Sequence, residues 1–128
     1  MNAQPTKIKT FKDLNAWQEA HKLVLFIYKF TKKFPREELF GLVSQMRRAA
    51  ISITSNIDEG FSRQSYKEKI QFYCIAESSN TELQNQLIAS KDIGYLVIEE
   101  FDAIFKQGVI VHKLLNGLIK KSKFIHNS

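Results

Sequence analysis

Apolar residues recur along most of this chain at intervals of three and four, the spacing that stacks side chains on one side of an α-helix, and almost nothing follows the two-residue rhythm of a strand. Start and stop signals divide the pattern into four helices. Thr10-Phe11-Lys12-Asp13 has the spacing of an N-terminal cap, and the first helix is expected to run from there to Phe34-Pro35, where the proline ends it. Glu37 and Glu38 supply negative charge for the first turn of the second helix, which is expected to stop near Gly60, a residue suited to a left-handed cap. Ser65-Tyr66-Lys67-Glu68 reads as a capping box opening a third helix that continues to Gly94. Glu99, Glu100 and Asp102 stand at the start of the fourth helix and Lys120, Lys121 and Lys123 at its end, so both termini suit the helix dipole. Short links between helices of this length favour antiparallel neighbours. The predicted fold is all-α, an antiparallel up-down-up-down four-helix bundle over residues 11–121, with 1–10 as a short extension and 122–128 as a basic tail. That tail reads equally well as an ordered end of the fourth helix and as a loose arm.

The apolar surface of the first and last helices is broader than a bundle core requires. At 100° per residue, Val97, Ile98, Phe101, Ile104, Phe105, Val109, Ile110, Val111, Leu114, Leu115, Leu118 and Ile119 leave a narrow polar strip on the fourth helix. On the first, Leu14, Trp17, Val24, Leu25 and Tyr28 make one face and Leu23, Phe26, Ile27, Phe30 and Phe34 a second. Since contiguous exposed apolar surface usually marks an interface, a homo-oligomer is expected, with Leu23, Phe26, Phe30, Ile110 and Leu114 as candidate contacts between copies.

The second helix carries polar chemistry among small residues: Gly41, Ser44, Gln45, Arg48, Ser52, Ser55 and Glu59 share one side, which reads as a packing seam. A tight turn at Gly60 to Ser65 pairs Arg48 with Glu77 and Arg47 with Ser78 at matching heights, so Arg47, Arg48, Asn56, Glu59, Glu77 and Glu82 are expected to form a structural polar network. Direct phosphate contact by Arg47 or Arg48 is the alternative. The run Phe40 to Gly60, read with Leu14-Asn15-Ala16-Trp17-Gln18-Glu19-Ala20 and Glu82-Leu83-Gln84-Asn85-Gln86-Leu87, resembles the small bacterial four-helix bundle proteins encoded in intervening sequences of large-subunit ribosomal RNA genes. The accessory variability determinant of diversity-generating retroelements is a relative in that family. The resemblance spans roughly Phe11 to Leu118, and Asn56-Ile57-Asp58-Glu59-Gly60 and the stretch from Phe34-Pro35 to Gln45-Met46-Arg47-Arg48 are its most specific pieces. Asp58 departs from the alanine expected there. The resemblance implies a pentameric ring, association with nucleic acid (structured RNA or an RNA-DNA hybrid), and docking to a protein partner such as a reverse transcriptase.

A formal net charge of +6 and a pI near 9.5 permit an acidic partner. Lys22, Lys29 and Lys33 lie on one side of the first helix and Lys106, Lys113 and Lys120 on one side of the fourth; with Arg63 they are the candidate nucleic-acid contacts, through backbone phosphates. Such strips are equally those of ordinary solvated helix faces. The single cysteine, Cys74, excludes an intrachain disulfide and is expected to pack as a small apolar residue. No run approaches the roughly 20 apolar residues of a membrane span, and Met1 to Lys7 lacks the apolar core of a signal peptide, so a cytoplasmic protein is expected. Catalytic patterns are missing: Asp58 and Glu59 are adjacent and point about 100° apart on a helix, His21, His112 and His126 stand alone, and no phosphate loop, nucleophile elbow or Glu-x-x-His pair occurs. No catalytic, cofactor or metal residue is therefore assigned, and a non-enzymatic protein is expected.

Overall fold

The computed structural model describes residues 7–128. Four helices follow one another, α1 (Asn15–Thr31), α2 (Leu42–Ser62), α3 (Tyr66–Ile93) and α4 (Ile98–His126). Each packs on its sequence neighbours and α1 also packs on α4, which closes an antiparallel up-down-up-down square. Among the described residues there is no strand. Of the expected extension, residues 1–6 lie outside the described residues, while the expected tail is helical as far as His126.

Capping chemistry explains both boundaries of α3. Ser65 Oγ accepts the Glu68 N–H at 3.1 Å, opening α3, and Gly94 closes it with φ +101°, the left-handed conformation glycine adopts without penalty. Asp13 Oδ2 accepts the N–H groups of Lys9 and Thr10, but these fix a short 3-10 turn, Phe11–Asp13, and α1 starts two residues later. Glu37 and Glu38 likewise sit in a separate 3-10 turn, Arg36–Glu38, and α2 begins after it at Leu42. Leu39 and Phe40 are left between the two, both exposed.

Gly60 does not end α2. The helix passes through it to Ser62, and a Cβ on Gly60 would lie 2.5 Å from Tyr73 Cε1, so the missing side chain is what lets α3 approach. Because the turn falls at Arg63 to Ser65, the register of α2 against α3 shifts from the expected one: Ser52 Oγ meets Ser79 Oγ at 2.8 Å, and Met46 lies level with Ser90. Arg48 therefore does not reach Glu77.

The centre is filled by Leu23 and Ile27 of α1, Met46, Ile53 and Ile57 of α2, Leu83 and Leu87 of α3, and Ile104, Val111 and Leu115 of α4, all at most 1% exposed. Burying each such side chain contributes about 1.5–3 kcal/mol. Trp17, Phe26, Phe30, Phe101, Phe105, Leu114 and Leu118 pack partly buried against this core. The breadth of the apolar faces of α1 and α4 is thus largely taken up inside the subunit, where the two helices cover one another. Asn80, fully buried, donates to the Gly108 carbonyl at 3.0 Å and fixes α3 against α4.

Candidate nucleic-acid interface

The bundle separates charge by end. The end holding the α2–α3 turn gathers Lys7, Lys9, Lys12, Arg63, Lys67, Lys69, Lys120, Lys121 and Lys123 from residues 7–13, 58–69 and 120–126, against Asp13, Asp58, Glu59 and Glu68. At the opposite end, residues 29–47 and 91–102 carry Lys29, Lys32, Lys33, Arg36, Arg47 and Lys91 against Glu37, Glu38, Asp92, Glu99, Glu100 and Asp102, which balance. Nearly all of the net +6 sits at one end. The linear sequence hides this, because three segments far apart in the chain supply the charges and only the antiparallel topology unites them.

Part of this charge has structural work. Lys69 Nζ donates to the carbonyls of Gly60 (3.2 Å) and Phe61 (2.7 Å), satisfying the last turn of α2, and lies over the rings of Phe61 and Tyr66; burial pushes its amine below the usual lysine range. Arg63 bonds Glu59 at 3.1 Å and lies 4.7 Å from the centroid of the Phe72 ring.

The two predicted lysine strips differ. On α1, Lys22 pairs with Glu19 at 2.9 Å and Lys29 lies over Phe30, while Lys33, just beyond the end of α1, pairs with Glu100 across to α4. Lys33, as the largest cause, holds the Glu100 carboxyl below the usual carboxylate range, and Lys22 does the same for Glu19. On α4, Lys106, Lys113 and Lys120 are exposed on the outward stripe and have no ion pair among the described residues. This second strip runs onto the basic end, at Lys120 and Lys121.

The expected polar network is not assembled. Arg47 donates to Thr31 Oγ1 at 3.1 Å and lies 4.6 Å from the Tyr28 ring centroid. Arg48 is exposed and lines a shallow depression with Gln45, Ser52 and Glu82. Glu77 instead faces His112 across α3–α4, with Nδ1 and Oε2 2.5 Å apart, and Glu82 accepts from Gln86. Asn56 bonds back to Ser52 on its own helix rather than to the turn. The small-residue side of α2, read as a seam, has Gln45, Arg48, Ser55 and Glu59 exposed and no helix of the subunit covering them.

Of the candidate contacts between copies, Leu23 is completely buried in the core and leaves the set; it stands one turn before Ile27, which is buried with it. Phe26, Phe30 and Leu114 are half-buried, and Ile110 is exposed. A group of exposed apolar residues lies instead at the charge-balanced end, Leu39, Phe40, Ile93, Val97 and Ile98, while Phe124 is exposed at the basic end. Phe40 is 93% exposed and borders a depression of about 620 Å³ lined by Tyr28, Leu39, Val43, Arg47 and Ile51. Its exposure follows from the break between the 3-10 turn and α2, which periodicity alone does not reveal. Cys74, expected to pack inside, is exposed.

Among the described residues no group of three or more His, Cys, Asp and Glu side chains could hold a metal ion, and no helix is long and apolar enough to cross a membrane. His21 stacks on Trp17 with ring centroids 4.8 Å apart, the packing role its neighbours indicate.

No curated protein matches the chain. Among solved structures, it is similar to a protein of unknown function from the S23 ribosomal protein family of Bacteroides thetaiotaomicron, with 24% identity and a TM-score of 0.76 over 82% of this chain and 95% of that one. That likeness concerns the fold. The model of the 23S rRNA-intervening sequence protein family matches residues 12–117, nearly the whole bundle, and this chain belongs to that family.

Proposed function

We propose that the protein is a non-enzymatic, cytoplasmic homo-oligomer that binds structured RNA or an RNA-DNA hybrid through backbone phosphates. The observation that carries this reading is the concentration of net charge at one end of the bundle, continuous with the unpaired lysine strip of α4. Lysines there neutralise phosphates and release counterions, a mode of binding that positions a protein without reading bases. Oligomerisation draws support from the exposed apolar cluster around Phe40 at the balanced end, and five copies in a ring is the arrangement the family resemblance implies. Copies that meet away from their basic ends bring several such ends to one ligand, and affinity then grows by multivalency. A relation to the accessory variability determinant fits the same picture.

A second reading, a scaffold that docks a reverse transcriptase or another RNA-handling enzyme, rests on the same Phe40 cluster, whose depression is wide and apolar enough for a protein side chain. A salt titration distinguishes the two. If the first holds, log K for an RNA hairpin falls with log salt with a slope of about −0.9 for each phosphate contacted, and reversing Lys113, Lys120 and Lys121 to glutamate weakens binding evenly across sequences. A purified oligomer with no affinity for RNA, DNA or hybrid at about 50 mM salt removes the first reading and leaves the scaffold.

A further inference from the structure

Helix α4 places a bare stretch of backbone and an aromatic ring in line with its free lysines. The outward stripe of α4 runs Lys106, Ile110, Lys113, Gly117, Lys120, Phe124, at steps of three and four residues. Gly117 stands in the helix interior, is exposed, and a Cβ there would meet nothing within 4 Å. A glycine at such a position weakens the helix relative to alanine. The other helix-interior glycines have reasons inside the subunit: Gly60 admits the Tyr73 ring, and Gly108 lies against Asn80 and Gln84. Gly117 has none among the described residues. It forms the floor of a depression of about 340 Å³ between the start of α1 and α4, with Lys113 and Lys121 at its sides and Asn15 opposite.

Phe124 is the second unexplained residue. It is 77% exposed, one turn beyond Lys120 on the same stripe and flanked by Lys121 and Lys123, so an apolar ring stands in water at the most basic part of the molecule. A solvated, charged helix end gains nothing from a phenylalanine. An aromatic face set among ammonium groups is what an unpaired base stacks on while its phosphates are held alongside, and stacking of this kind tolerates any base.

The geometry points to a single-strand site on the last four turns of α4, in which Lys113, Lys120 and Lys121 hold phosphates, the uncovered backbone at Gly117 lets the sugar-phosphate chain lie close, and Phe124 stacks on an unpaired base. This rests on the nucleic-acid reading above and adds to it the class of ligand, an unpaired segment or end of RNA or DNA. Lys113 and Lys120 stand about 10 Å apart along the axis at 1.5 Å per residue, room for consecutive phosphates to span the bare stretch between them. Phosphate contacts and base stacking do not depend on the sugar, so RNA and DNA strands of one sequence are expected to bind alike.

The test is fluorescence anisotropy of the full chain at about 50 mM salt with labelled 12-nucleotide homopolymers of RNA and DNA and with a 12-base-pair duplex. Phe124→Ala, at a site too exposed to disturb folding, is expected to weaken single-strand binding about 5- to 150-fold and to leave duplex binding within twofold. Gly117→Gln is expected to raise the melting temperature yet weaken single-strand binding, a split that a purely structural role does not produce. Light scattering on the same samples checks that the variants keep their subunit number. Equal loss on single strand and duplex, no loss on either, or a changed subunit number in Phe124→Ala overturns the inference while leaving the phosphate-binding reading intact. Wild-type protein that binds the duplex alone does the same, whereas wild-type protein that binds none of the probes overturns both.

Discussion

Gly60 and Gly117 undergo the same substitution with opposite expected signs. At Gly60 an alanine Cβ would lie 2.5 Å from Tyr73 Cε1 and 2.8 Å from Cδ1, well inside van der Waals contact. The obstacle is a rigid ring 3% exposed between α2 and α3, whose burial also pushes its phenol up to about 12. Overpacking of this kind costs about 1–3 kcal/mol, and so short a contact belongs at the upper end. Replacing a helix-interior glycine by alanine recovers about 1 kcal/mol of propensity, which leaves a net loss near ~2 kcal/mol. For a chain of this size that lowers the melting temperature by about 6–10 °C. At Gly117 nothing opposes the propensity term, and Gly117→Ala is expected to stabilise by about 0.5–1 kcal/mol. Urea titrations followed by circular dichroism, repeated at several protein concentrations so that assembly is held in view, give both values. Adding Tyr73→Leu to Gly60→Ala removes the ring and is expected to show a coupling energy of about 1–2 kcal/mol. If Gly60→Ala raises the urea midpoint as Gly117→Ala does, the close-approach account of Gly60 is wrong.

Three further outcomes are expected. Asn80→Ala removes the buried amide that holds the Gly108 carbonyl and is expected to cost about 1–3 kcal/mol, read as a lower urea midpoint at constant slope; a loss within error would show that the α3–α4 contact does not depend on it. Asp13, Glu19 and Glu100 all have carboxyls held below their ordinary range, the first mainly by backbone N–H donors and the others mainly by lysine partners, so their contribution is complete above the unfolded-state values and is lost as pH falls through the folded ones. Urea midpoints that stay level from pH 6 to pH 3 would contradict this. Phe40→Ser, at a side chain 93% exposed, is expected to lower the solution mass of the assembly without lowering the helix content of the subunit; an unchanged mass by light scattering would exclude Phe40 as a contact between copies.

Periodicity and capping residues carried the fold because they act locally. Ser65, Gly94 and the acidic start of α4 do in the structure what their chemistry requires, and the two-sided apolar pattern of α1 resolves into Leu23, Val24 and Ile27 inward with Leu25 and Tyr28 exposed. What the sequence concealed were quantities set by register. The 3-10 turn at Arg36–Glu38 delays α2 and leaves Phe40 in solvent, and the turn at Arg63 to Ser65 slides α3 along α2, so Glu77 meets His112 and not Arg48. Gly60 was ambiguous for a related reason: a glycine near the end of a helical pattern suits both a left-handed cap and a close helix approach, and only the position of the Tyr73 ring decides between them. The lysine strips were legible as strips, but their availability was not, since Glu19 and Glu100 neutralise two lysines of the first strip through contacts, one of which crosses to α4.

The position of the Phe40 cluster at the charge-balanced end bears on how assembly and binding relate. Chains carrying +6 repel one another, and the repulsion is weakest where the ends that balance come together. Phe40, Leu39, Ile93, Val97 and Ile98 stand at that end, so apolar attraction and electrostatics favour the same contact there, while the basic ends, a bundle length of roughly 40 Å away, stay uncovered. Contact through the basic ends would work against the electrostatic term. Under the proposed function, assembly and phosphate binding are coupled without sharing a residue: breaking a Phe40 contact would reduce the number of basic ends reaching one nucleic acid, so affinity would fall although no charge has been touched. Phe40→Ser should therefore weaken binding of a long RNA much more than binding of a short strand that occupies one subunit. Equal effects on the two would place Phe40 in the ligand site itself, and no effect on either would separate assembly from binding altogether.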